Sequence, residues 1–291
     1  MKYEGVITPM LTPFKLDGSV DLDGTDRLVD YLKGIGVSGL FPLGSTGLFP
    51  YLFSEERVNY LQHVNDIKGD LKVFAGIGSS NTEESVKFGR HAADIGCDIL
   101  VLMPTYYIHP SHDEIYRHFS IVLDKVDRDF FIYNIPQLSG EFIPIDVIAK
   151  LKEEYSHVVG VKESSGDMRY FSKLLPLSGK NFSIFNGQDD LLLPSLALGA
   201  DGGVCGLSNF NPLIVKVYQK YRNGEMQKAQ ETQMKVNSLM RAINASNFPS
   251  GYYHAFYHTM GIQGGYRAPM LSPLSIDFIT SLVPFFIFPF L

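Results

Sequence analysis

The chain has 291 residues, of which 45% are hydrophobic and 19% charged, and its formal net charge is −6. That is ordinary globular composition, long enough for one domain of α/β-barrel size or two smaller ones. A net negative charge gives no electrostatic support to a nucleic-acid partner.

Gly5 to Phe14 reads as a strand that runs into a loop marked by Pro9 and Pro13, with a turn signal at Asp17-Gly18. Asp21 to Lys33 places Leu22, Leu28, Val29 and Leu32 at helical spacing, and Gly34 and Gly36 are expected to close that helix. Val37 to Leu43 is a second strand, followed by the small-residue loop Gly44-Ser45-Thr46-Gly47. Ser54-Glu55-Glu56-Arg57 opens the next helix with acidic residues in its first turn. Lys72 to Gly78 is a third strand, and a helix from Asn81 to about Asp94 follows. Asp98 to Pro104 is a fourth, leading into Thr105-Tyr106-Tyr107 and a helix over Asp113–Val126. Asp129 to Pro136 is a fifth, then a helix over Pro144–Glu154 with proline near its start.

Val158-Val159-Gly160-Val161-Lys162 is the sixth strand, broken by Ser164-Ser165-Gly166-Asp167, with a short helix near Arg169–Leu175. Phe182 to Gly187 is the seventh, and Asp189–Leu198 is helical. Ala200 to Leu207 is the eighth and rich in glycine. The helical pattern then runs over Pro212–Asn244, broken near Asn223-Gly224, and resumes over Tyr252–Met260. Apolar strands alternating with helices are the mark of a parallel sheet buried on both faces. Eight such units predict an α/β fold, a (β/α)8 TIM barrel, with a C-terminal helical extension. The barrel core is expected over 1–210 and the last barrel helix, further helices and an apolar tail over 211–291, all in one domain. The alternative, an open dinucleotide-binding sheet, lacks its Gly-x-Gly-x-x-Gly after the first strand.

Chemistry in such a barrel belongs at the C-terminal strand ends. They carry Thr8-Pro9, Ser45-Thr46, Tyr106-Tyr107, Tyr133, Lys162, Gly187-Gln188-Asp189 and Cys205. Lys162 is the one lysine among them. Desolvation penalises a charged amine at the end of a buried strand and draws its pKa down, leaving a nucleophile for a carbonyl. The ordinary alternative is a lysine that snorkels outward or pairs with Glu163. Ser45 and Thr46 can present hydroxyl and N–H groups to a carboxylate, or form a simple turn. Tyr133 follows four apolar residues, so its hydroxyl needs a partner: backbone in the ordinary case, a transferred proton in the functional one, with Ser45 and Tyr107 as relays. Asp189 is read as a helix start that could also face a substrate hydroxyl.

His254 and His258 have a metal-compatible spacing, but no Glu follows His254, so packing histidines are expected and no metal or cofactor. Cys97 and Cys205 form no Cys-x-x-Cys, which favours a reducing compartment. Met1 to Ile7 has no signal-peptide core, so a cytoplasmic protein is expected. Phe278 to Leu291 is apolar but too short, and too broken by Pro284 and Pro289, for a membrane helix, and is expected to pack on the body or at a subunit interface.

Five motifs in order carry a resemblance: Gly44-Ser45-Thr46-Gly47, Tyr106-Tyr107-x-x-Pro110, Tyr133-Asn134-Ile135-Pro136, Gly160-Val161-Lys162-Glu163-Ser164-Ser165-Gly166-Asp167 and Asn186-Gly187-x-Asp189. The chain resembles the N-acetylneuraminate lyase and dihydrodipicolinate synthase family of Schiff-base aldolases. The resemblance implies that Lys162 attacks the ketone of a 2-oxo acid, that Ser45 and Thr46 hold its carboxylate, and that Tyr133 moves the proton at the breaking C–C bond. It further implies Tyr107 as a catalytic residue and Pro9, Ser164, Gly187, Asp189 and Cys205 as substrate-binding ones, a small-molecule substrate, and a homotetramer. Leu48 stands where synthases and lyases carry Glu, which is similar to 2-keto-3-deoxygluconate aldolases. Leu138 stands where synthases carry an Arg for a semialdehyde carboxylate. Leu138-Ser139-Gly140 is similar to the sialic acid lyases, the nearest rival, and a non-catalytic keto-acid-binding regulator is the alternative of another class.

Overall fold

A computed structural model of the chain describes residues 2–272; the apolar stretch Phe278–Leu291 lies outside them. Its first half runs β1 (Gly5–Pro9), α1 (Leu22–Ile35), β2 (Gly39–Phe41), α2 (Ser54–Ile67), β3 (Lys72–Gly76), α3 (Thr82–Asp94), β4 (Ile99–Leu102) and α4 (His112–Lys125). There follow β5 (Asp129–Asn134), α5 (Pro136–Ser139), α6 (Ile145–Glu154), β6 (Val158–Glu163), α7 (Met168–Leu174), β7 (Ser183–Asn186), α8 (Leu192–Leu198) and β8 (Gly202–Val204). Three more helices, α9 (Leu213–Arg222), α10 (Met226–Ile243) and α11 (Ser250–Met260), complete the described chain. The strands close in sequence order, all parallel, with β1 paired to both β2 and β8. This is the TIM barrel that the alternation predicts.

Local chemistry sets the helix ends. The Asp21 side chain accepts from the Gly24 N–H to start α1, and Asn81 accepts from the Glu83 and Glu84 N–H groups to start α3. Ser111 and Glu114 form a reciprocal capping box at α4. Gly36 ends α1 in the left-handed region, whereas Gly34, expected to help close that helix, lies inside it. The second strand is shorter than expected because Pro42 has no N–H for the ladder and Leu43 sits at φ +60°.

Phenylalanines fill the barrel from within. Phe131 meets Phe74 edge-on at 5.4 Å and Phe185 at 5.6 Å. Glycines opposite them make the space: a Cβ on Gly39 would stand 2.9 Å from Phe74, and one on Gly160 2.5 Å from Phe131. Above this plug the strand ends open into the site. α10 packs against α9, and α11 is tied to the β1–α1 loop. There the Tyr253 hydroxyl accepts from the Thr12 N–H and the Tyr257 hydroxyl from the Phe14 N–H. Among the described residues, no helix is long and apolar enough to cross a membrane, and no cluster of His, Cys, Asp or Glu is placed to hold a metal ion.

Candidate active site

Lys162 is buried near the end of β6, and its Nζ lies 3.8 Å above the Tyr133 ring centroid and 4.7 Å from that of Phe41. The β5–β6 register pairs Tyr133 with Lys162 directly. Strand alternation sends Glu163 the other way, where its carboxylate accepts from Asn134 Nδ2 at 2.6 Å and from the Ser165 N–H at 2.5 Å. The alternative Lys162–Glu163 pair is therefore not formed. Burial among rings draws the Lys162 amine down to about 7, with Cys205 and Asp189 acting weakly the other way.

The Tyr133 hydroxyl is pushed up to about 12 by burial, and Ser45 and Ser164 oppose that rise from beside it. Neither serine hydroxyl makes a hydrogen bond within the chain, although both are buried. Two orphan hydroxyls therefore stand next to a buried phenol, an arrangement that a bound polar ligand would complete. Ser164 reaches this position only because residue 187 is glycine; a Cβ there would lie 1.9 Å from Ser164 Oγ.

The loop after β2 is drawn tight by hydrogen bonds from the Gly47 N–H to the Gly44 carbonyl and from the Leu48 N–H to the Ser45 carbonyl. Among the described residues no acceptor meets the N–H groups of Ser45 or Thr46. They form a small nest open to an anion. Leu43 and Leu48 flank this loop with positive φ, strain of the kind that surrounding structure must hold in place at a site.

A cavity of about 270 Å³ gathers Pro9, Ser45, Thr46, Tyr133, Lys162, Ser164, Gly187 and Asp189. Two of the expected residues stand off this cavity wall within the single chain. Tyr107 is 92% exposed, turned outward at φ +80°, and lines a separate recess beside His109 and Arg117; within one chain, Ser164 and not Tyr107 joins Ser45 at the phenol. Cys205 is wholly buried and absent from the cavity wall, with burial holding its thiol well above its ordinary range. Asp189 does line the cavity, but its two carboxylate oxygens accept from the Gly206 and Leu207 N–H groups at 2.9 and 2.8 Å. It clamps the loop after β8 more than it faces a ligand.

The remaining wall, Gln188 apart, has no counterpart in the strand-end reading. Gln137 and Leu138 come from α5, Gln188 from the turn after β7, and Met240, Asn244, Phe248 and Tyr252 from the C-terminal helices and their connection. A second lobe of about 280 Å³ shares Ser45, Leu138 and Phe248 with the first and adds Leu48, Phe49 and Pro50. Proline at position 136 marks a helix start in retrospect, but nothing in α10 or α11 signals that they turn back over the barrel mouth.

Comparison with known proteins gives a consistent result. The model of the "Dihydrodipicolinate synthetase family" matches residues 2–279. An uncharacterised DapA-like lyase of Thermoplasma acidophilum is 52% identical over 272 residues, 93% of either chain. A 2-dehydro-3-deoxy-D-gluconate/2-dehydro-3-deoxy-phosphogluconate aldolase of Picrophilus torridus is 42% identical, over 90% of this chain and 97% of its own. The solved structure of the 2-keto 3-deoxygluconate aldolase from Picrophilus torridus superposes with a TM-score of 0.91, covering 94% of this chain and 99% of the other.

Proposed function

We propose a substrate from one premise: the chain belongs to the dihydrodipicolinate synthetase family, and is a pyruvate-dependent class I aldolase, a carbon–carbon lyase. In our reading it cleaves 2-keto-3-deoxygluconate reversibly to pyruvate and glyceraldehyde. The observation that carries this choice is the chemistry of the cavity wall. Among its described residues Lys162 is the sole cation, and the other free polar groups are neutral hydroxyls and amides. A semialdehyde carboxylate or a phosphate would stand there without a charge-assisted partner. A neutral polyol would not need one. The similarity to the Picrophilus torridus aldolase supports the same choice.

The geometry supports the following steps. The neutral Lys162 amine adds to C2 of the keto acid, and the carbinolamine hydroxyl takes a proton from solvent and leaves as water, giving an iminium. The Ser45 and Thr46 N–H groups receive the carboxylate. The C4 hydroxyl gives its proton to Tyr133 as Tyr133 passes its own through the Ser45 or Ser164 hydroxyl to solvent, which returns the proton taken up in forming the iminium. The C3–C4 bond breaks, its electron pair moves into the iminium as an enamine, and glyceraldehyde departs. Protonation at C3 and addition of water return pyruvate and the free amine.

Borohydride reduction in the presence of pyruvate is expected to fix its mass on Lys162, and Lys162→Ala to abolish the adduct. An adduct of equal yield in Lys162→Ala would overturn the mechanism. Pyruvate release measured over 2-keto-3-deoxygluconate, its galacto epimer, their 6-phosphates and sialic acid tests the substrate, with the unphosphorylated sugar acids expected to lead.

A further inference from the structure

We propose that Gln137 and Gln188 are specificity-determining residues, whose side-chain carbonyls accept hydrogen bonds from the distal hydroxyls of an uncharged polyhydroxy chain. The inference rests on the aldolase reading above and extends it to named groups. The two glutamines reach the cavity from opposite sides of β6, one from α5 after β5 and one from the turn after β7. Both amides converge on a single carbonyl two residues beyond Lys162. Gln137 Nε2 donates to the Ser164 carbonyl at 3.0 Å and to that of Ser165 at 2.6 Å; Gln188 Nε2 donates to the Ser164 carbonyl at 2.6 Å.

This anchoring fixes which way each amide faces. A carbonyl can only accept, so it must meet the NH2 end of the glutamine, and the Oε1 end is left over. Neither Oε1 has a donor among the described residues. The Gln188 turn is itself held, its backbone carbonyl accepting from Asn186 Nδ2 at 2.5 Å. Gln137 is exposed and Gln188 partly buried, so the rim of the cavity presents two positioned acceptors with no donor from the chain. A hydroxyl supplies a donor. A carboxylate or phosphate supplies only further acceptors and a charge of the wrong sign. The pair therefore selects for a hydroxylated tail and against an anionic one at the same place.

The competing account is that both amides only staple the Ser164–Ser165 loop. Single variants Gln137→Met and Gln188→Met separate the two, with kcat/KM measured on 2-keto-3-deoxygluconate and on 4-hydroxy-2-oxopentanoate. The shorter acid undergoes the same bond cleavage but has no distal hydroxyls. Each variant is expected to lose roughly tenfold on the sugar acid, the scale of one hydrogen bond with its orphaned partner, and less than about threefold on the short acid. Both variants should still form the borohydride-reducible pyruvate adduct. Equal losses on the two acids, unchanged turnover of the sugar acid, or loss of the pyruvate adduct would each overturn the assignment. A native chain that releases pyruvate from the short acid but not from the sugar acid would overturn the substrate reading instead, and the assignment with it.

Discussion

Burial takes the Lys162 amine out of water and so destabilises its protonated form, even over the faces of Phe41 and Tyr133, and two measurable consequences follow. With its pKa drawn down to about 7, the nucleophilic form is half populated near neutrality. Initial rates of pyruvate adduct formation should rise about tenfold per pH unit below that point and level off above it. A profile still climbing through pH 9 would show an amine with an unshifted pKa. The second consequence concerns stability. The unfolded chain holds its proton up to about 10.5 and the folded chain releases it near 7, so folding is penalised fully below 7 and progressively less as pH rises to 10.5. Lys162→Met should therefore abolish turnover and raise Tm, and the gain should be largest below pH 7. Tyr133→Phe removes only a hydroxyl: turnover should fall by about 10²-fold or more while pyruvate trapping persists. These two residues are legible in the sequence because each ends an apolar run. Phe41 and Gln137 are not, since a ring in a strand and an amide in a short helix carry no mark of what lies across the barrel; Gln188 falls at a strand end, but nothing in the sequence assigns it a role there.

Between elements, the site depends on how the loops after β6, β7 and β8 hold one another. Asp189 ties the β7 end to the β8 end through the Gly206 and Leu207 N–H groups. Burial pushes its carboxyl up to about 7, against the two N–H bonds that favour the charged form. Asp189→Asn keeps the shape but turns an NH2 toward one of those N–H groups, so chemical denaturation should show a loss of about 1–3 kcal/mol. Gly187→Ala acts on a neighbouring contact. Its Cβ must displace Ser164 Oγ from beside the phenol, and it also falls 2.9 Å from Ser164 Cβ and 3.2 Å from the Glu163 carbonyl oxygen, which side-chain rotation cannot relieve. Activity and Tm should both drop, and Ser164→Gly in the same chain should recover part of the Tm but not the rate. The caps at Asp21, Asn81 and Ser111 could be read locally because capping is a matter of three or four residues. The wall from α10 and α11 could not, because Met240, Asn244 and Phe248 reach the mouth only through long-range folding back.

For the molecule as a whole, the alternation of strands and helices already implies a barrel, yet closure depends on a contact between its first and last strands, about two hundred residues apart. At the β1–β8 seam Gly5 faces Gly202 in register, and the Gly5 N–H donates to the Asp201 carbonyl at 3.2 Å. A Cβ on Gly202 would fall 2.0 Å from the Gly5 carbonyl oxygen and 2.6 Å from the Phe185 ring. A side chain can rotate away from such a clash; a backbone oxygen in a closed ladder can move only if the seam opens. Gly202→Ala is therefore expected to cost about 3 kcal/mol or more and to lower Tm by several degrees or prevent folding. Gly34→Ala makes the same chemical change in the exposed interior of α1, where no atom lies within 4 Å of the new methyl group. There it should gain about 0.5–1 kcal/mol by restricting the unfolded chain. Thermal unfolding of the two variants beside the native chain reads the difference directly. A Gly202→Ala protein as stable as the native one would show that the two glycines do not close the barrel by contact, and that the seam tolerates a wider spacing than the β1–β8 register allows.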